Sequence, residues 1–168
     1  MVLDGDEATI LRRLDALLAT LPDGVLVTWN GAAFDLPFLG DRSRRCGVDL
    51  GLRLEFDPSI PGHHEPLAGH GGAYRAGWYG HRHLDGYQVF RADVGAAMRL
   101  PCGLKPLARF VGLPVVEVDR ERIHLLSDEE MRSYVASDAH LARALVARRW
   151  PTARRAVDPE IPVQPIDS

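Results

Sequence analysis

Cysteine is scarce in this chain of 168 residues, which carries only Cys46 and Cys102. Two thiols so far apart cannot build a metal knuckle by themselves, and they read as reduced side chains of a cytoplasmic protein. No apolar run approaches the ~20 residues that cross a bilayer, so no membrane association is expected. The first residues show no basic region followed by an apolar stretch, and so no secretory signal. Internal repeats are absent. An excess of positive charge is missing too: the formal net charge is -3, unlike the basic field of a general nucleic-acid binder. That does not exclude nucleic-acid chemistry, because clustered carboxylates lower the net charge while a local basic groove handles phosphates. Lysine is almost unused. Lys105 is the only one among many arginines, a bias read as compositional. What is present is ordinary for a globular domain: 46% hydrophobic and 26% charged residues, enough for one α/β domain over residues 1–150.

Taken in order, residues 6–20 read as an amphipathic helix. Ile10, Leu11, Leu14, Leu17, Leu18 and Leu21 recur at helical spacing, with Arg12, Arg13 and Asp15 on the opposite side. Asp4 or Asp6 caps its start. Val25 to Trp29 is a short, nearly all-apolar strand of the kind buried in an α/β sheet. The chain turns at Asn30-Gly31 and continues as a helix to Cys46 that is expected to bury Phe34, Phe38 and Leu39 and to stop at Gly47. Arg42, Arg44 and Arg45 suit its C-terminal end and could also meet a phosphate backbone. Leu52 to Phe56 alternates as a strand. Residues 57–82 read as a long Gly/His/Pro-rich connection. Its histidines (His63, His64, His70 and His81, with His83 just beyond) have no regular ligand spacing, so a solvated loop is preferred to a zinc site. The tip at Tyr74, Trp78 and Tyr79 could stack bases, but packing onto the domain is the favoured use. A helix over 87–100, a short helix over 104–111 and a short edge strand at Val115–Val118 follow. Ser127-Asp128-Glu129-Glu130 is a capping box that opens a last long helix to about Trp150. On that helix Met131, Val135, Leu141 and Leu145 form the core stripe. Residues 151–168 read as a loose Pro-rich tail.

Two stretches carry candidate chemistry. One is Asn30-Gly31-Ala32-Ala33-Phe34-Asp35 after the buried strand. The other is Tyr134-Val135-Ala136-Ser137-Asp138 on the last helix, where Tyr134 and Asp138 share a face one turn apart. Taken singly each has a plain structural reading: an aspartate in a first helical turn favours the macrodipole, and a Tyr/Asp pair at this spacing is common. Together they resemble the second and third motifs of the tyrosine-type DEDD 3′→5′ exonucleases, and are most similar to the exonuclease domain of family B DNA polymerases. The similarity includes His83-Leu84-Asp85 and the run from Gly103 to Gly112, and so covers about residues 5–150.

The resemblance implies a ribonuclease H-like exonuclease fold whose first strands are missing from this chain. It also implies hydrolysis of terminal phosphodiesters at single-stranded DNA 3′ ends, or RNA ends, with two Mg²⁺ or Mn²⁺ ions held by carboxylates. Carried over, Asp35 and Asp138 are the metal ligands, and Tyr134 orients the attacking water. Asn30 and Phe34 shape the nucleotide pocket, while Asp85 falls at a position regarded as structural. The family's first motif, an Asp-x-Glu on a strand, has no counterpart here. Asp4, Asp6 and Glu7 mimic it but sit where a helix cap belongs. Two carboxylates alone hold Mg²⁺ weakly, and the strand at Val25 is expected to lack a neighbour on one edge. An upstream extension, a partner chain or second copy completing the sheet, or a non-catalytic nucleic-acid-binding or interaction module are the expectations that follow.

Overall fold

A computed structural model describes residue 3, residues 5–60 and residues 66–157. Asp4, His63, His64 and the end of the tail, 158–168, lie outside the described residues. The chain is α/β with a mixed four-stranded sheet. Where the sequence reading expects one domain, it divides into two compact units, Met1–Gln88 and Val89–Ser168.

The first unit holds α1 (Glu7–Thr20), β1 (Gly24–Thr28), α2 (Asp35–Cys46), β2 (Leu52–Phe56), β3 (Tyr74–Trp78) and β4 (His81–Asp85). Local signals set the ends of both helices. Asp6 accepts from the Thr9 amide at 2.7 Å and caps α1, and Gly47 at φ 62 closes α2 in the left-handed conformation that glycine adopts without strain. The sheet order is β1-β4-β3-β2. β1 runs parallel to β4, with Thr28 opposite Asp85, and the other two pairings are antiparallel. Leu52 pairs with Trp78 and Leu54 with Ala76, so four apolar side chains point to one face of the sheet. There they meet Leu11 and Leu18 of α1, Leu36 of α2, Val48 and Leu50 in one core.

Asp15, expected on the solvent side of α1, is instead used inside the unit. Its carboxylate accepts from Trp78 Nε1 at 2.7 Å, from the Gly51 amide at 2.8 Å and from the Tyr79 hydroxyl. Burial works against its charge, but the bonds from Tyr79, Trp78 and Gly51 outweigh burial and hold its pKa below the usual range. Tyr79, left-handed at φ 51 in the β3–β4 turn, is anchored by that bond. Residues 57–82, expected as one loop, contain β3, which pairs antiparallel with β2.

The second unit begins within α3 (Gly86–Phe90), which leads through a π-helical turn (Arg91–Gly95) into α4 (Ala96–Met98). α5 (Leu104–Phe110), a 3-10 turn (Arg120–Leu125), α6 (Asp128–Arg148) and α7 (Trp150–Val157) follow. Both halves of the Ser127/Glu130 capping box are formed. Leu107 and Ala108 of α5, Leu141, Leu145 and Val146 of α6, and Ala153 of α7 are buried. Val135, assigned to the core stripe, is exposed, because the buried stripe of α6 is confined to its C-terminal half. Residues 115–118 form no strand. Residues 151–157, expected to be loose, are helical: Pro151 stands in the first turn of α7, where a missing N–H costs nothing.

Candidate functional site

The candidate residues fall into two groups, one in each unit. In the first unit β1 ends at Thr28, and the backbone turns through Asn30 at φ 68. Asparagine tolerates this left-handed conformation better than most residues. The Asn30 carbonyl then accepts from the Ala33 and Phe34 amides, which starts the helical path. Gly31 is required because a Cβ there would overlap the Thr28 side chain. Asp85, at the end of β4, clamps the corner from beneath. Its carboxylate accepts from the backbone amides of Asn30 at 2.8 Å, Ala32 at 3.0 Å and Tyr87 at 3.0 Å. Burial raises its pKa to about 6 despite those three donors, with the nearby Asp35 charge adding to the rise. The structural role expected for Asp85 is thus visible as geometry.

The corner presents Asp35 at the first residue of α2. Its surface remains open to solvent, yet the surrounding protein removes enough water from the carboxyl to push its pKa upward. Phe34 and Phe38, one helical turn apart on either side of it, are exposed at 49% and 44%. The sequence pattern predicts both to be buried. Leu36 and Pro37 take the inward positions instead, and the phenylalanines face water. Asn30 Oδ1 is buried with no hydrogen-bond partner among the described residues.

In the second unit α6 brings Tyr134 and Asp138 to one face, and α5 supplies a residue to which the sequence reading assigned no role. Lys105 is buried, with Nζ 2.8 Å from the Val116 carbonyl, 3.7 Å from Asp138 Oδ1 and 4.2 Å from the centre of the Tyr134 ring. One ammonium thereby meets a carbonyl, a carboxylate and an aromatic face, the set a buried lysine needs to keep its charge. The available signal was its uniqueness: a chain that otherwise uses arginine keeps a single lysine here.

The remaining acidic candidates are used elsewhere. Asp6 caps α1, and Glu7 forms a two-pronged pair with Arg42. His83 is half-buried against Thr28, Nε2 to Oγ1 at 2.7 Å, and desolvation lowers its pKa to about 4. His70 bridges Asp41 and Tyr74. Among the described residues no three His, Cys, Asp or Glu side chains gather as a metal cage. Asp35 and Asp138 are nevertheless oxygen donors of the kind that Mg²⁺ and Mn²⁺ take, and Asp138 Oδ1 is buried with no hydrogen-bond donor among the described residues. No family model matches the chain, and no curated protein matches it.

Proposed function

We propose that this chain is a ribonuclease H-like domain of the tyrosine-type DEDD 3′→5′ exonuclease kind, acting on single-stranded DNA ends in the presence of Mg²⁺ or Mn²⁺. The observation that carries the reading is the corner at Asn30–Asp35. A half-buried edge strand ends in a left-handed turn and leads to a partly desolvated carboxyl flanked in the sequence by two exposed phenylalanines. Exposed aromatics beside a carboxylate suit unpaired bases, which stack on them whatever their sequence. The parallel β1–β4 pair agrees with the resemblance as well.

In this reading Asp35 and Asp138 would each serve as a carboxylate ligand in a two-metal arrangement, and the bound metal would supply the Lewis acidity for phosphodiester hydrolysis. The Tyr134 hydroxyl orients the attacking water. Phe34 and Phe38 fix the terminal nucleotides, and Lys105 keeps the Asp138 carboxylate and the Tyr134 ring in register. Hydrolysis releases nucleoside monophosphates. The test is a labelled single-stranded oligonucleotide incubated with Mg²⁺ or Mn²⁺. Asp35→Ala and Asp138→Ala are each expected to slow cleavage on the order of a hundredfold or more. Cleavage indifferent to both substitutions would overturn the assignment.

A second reading is a binding module without catalysis. Lys105 favours it, because its ammonium already places a positive charge beside Asp138. Oligonucleotide retention with no cleavage at any Mn²⁺ concentration would select this reading.

A further inference from the structure

Asp41, His70 and Tyr74 form a hydrogen-bonded chain in the first unit that contains no motif residue. His70 Nε2 lies 2.9 Å from Asp41 Oδ2, and Nδ1 lies 2.6 Å from the Tyr74 hydroxyl. A neutral imidazole satisfies both contacts at once: Nε2–H donates to the carboxylate, and Nδ1 accepts the phenolic O–H. Both ring nitrogens are engaged, so the ring cannot turn without losing a bond. Tyr74 also meets the His70 ring edge-on.

This chain joins three pieces. Asp41 is on α2, fewer than two turns beyond Asp35. Tyr74 opens β3. His70 lies in the segment before it, where residues 69, 71 and 72 are glycines. Among residues 69–72 His70 therefore carries the only side chain able to hold the backbone in place, and glycine-rich backbone is costly to order. The same segment presses on the Asp35 corner. The Leu67 amide donates to the Ala33 carbonyl at 3.4 Å and the Tyr74 amide to the Ala32 carbonyl at 2.9 Å. Ala73 packs against Ala32 and Ala33. Residues 32 and 33 are thus held by Asp85 on one side and by segment 66–74 on the other.

We propose that His70 is a positioning residue for Asp35: by bridging Asp41 and Tyr74 it locks segment 66–74 against residues 32 and 33 and so fixes where the Asp35 carboxyl stands. The inference rests on the nuclease reading of Asp35. Imidazole and carboxylate contacts behind a functional side chain orient it in this way, and displacements near 1 Å at a reacting centre cost up to about a hundredfold in rate.

The test uses the full chain with His70→Ala, His70→Gln and Tyr74→Phe. In His70→Ala, kcat for oligonucleotide cleavage is expected to fall about tenfold with KM within about twofold. His70→Gln, which can still donate to Asp41, is expected to lose less. Independently of activity, the Asp35 carboxyl carbon resonance should shift in His70→Ala, and the Leu67 and Tyr74 amides should exchange roughly tenfold faster. Should His70→Ala fail to fold, Tyr74→Phe is read for the same two signals. A parental protein without cleavage removes the nuclease reading alone, and the Asp35 resonance then decides. An unmoved Asp35 resonance, or parental kcat in His70→Ala, overturns the positioning role.

Discussion

His83 and Asp85 stand two positions apart on β4, and burial acts on them with opposite sign. His83 stays neutral down to about pH 4, against 6.5 for a free imidazole. The unfolded chain therefore binds its proton first, and the stability linked to His83 is complete above pH 6.5 and drains away as pH falls toward 4. Asp85 titrates near 6 rather than 3.8. Here the folded chain takes up the proton first, so this carboxyl costs stability as pH rises from 3.8 to 6. The two slopes offset one another in the parent. Between pH 7 and pH 5, His83→Gln should gain about 2 kcal/mol relative to the parent, and Asp85→Asn should lose about 1 kcal/mol relative to it. Urea unfolding at several pH values reads both. A separate expectation concerns geometry rather than charge. Asp85→Ala strands the amides of Asn30, Ala32 and Tyr87 and should cost about 3 kcal/mol at pH 7 in the same assay. Lys105→Met should cost about 2 kcal/mol, because Asp138 is left partly buried without its cation.

At the scale of elements, what was legible in the sequence was what is decided locally. The Asp6 cap, the Ser127/Glu130 box and the Gly47 stop each depend on atoms within a few residues, and each formed where the pattern put it. β3 is hard to read from sequence because its two strand formers, Tyr74 and Trp78, are separated by Arg75-Ala76-Gly77, where alanine and glycine disfavour strands. Its conformation comes from pairing with β2 and from burying Trp78, neither of which a short window contains. The outward turn of Phe34 and Phe38 was missed for a related reason: periodicity locates a stripe, but the packing partner decides which stripe faces in. Of the candidate site, the motif residues were readable from spacing, whereas Lys105 gains its role only through contacts with α6 and the chain at Val116. The corner itself offers a sharp test. Gly31→Ala sets a Cβ against Thr28 and should destabilise by about 1–3 kcal/mol. Combining it with Thr28→Ala should return part of that loss, as measured by thermal unfolding.

For the whole molecule, the division at Gln88 is not marked by any linker composition, which is why the sequence alone suggests one domain. β1 is the terminal strand of the sheet and pairs only with β4 among the described residues. Gly24-Val25-Leu26-Val27-Thr28 contains no proline and no charge, the features that usually guard a sheet edge. Concentration-dependent self-association is expected in sedimentation velocity, reduced by Val25→Lys. The parallel pairing has one more consequence, for synthesis on the ribosome. Thr28 and His83, neighbours in the finished sheet, are 55 positions apart in the chain. At about 5–20 residues per second, the nascent β1 waits roughly 3–10 s for its partner to be translated. During that interval an uncharged β-prone segment is open to trigger factors, chaperones and its own copies on neighbouring polysomes.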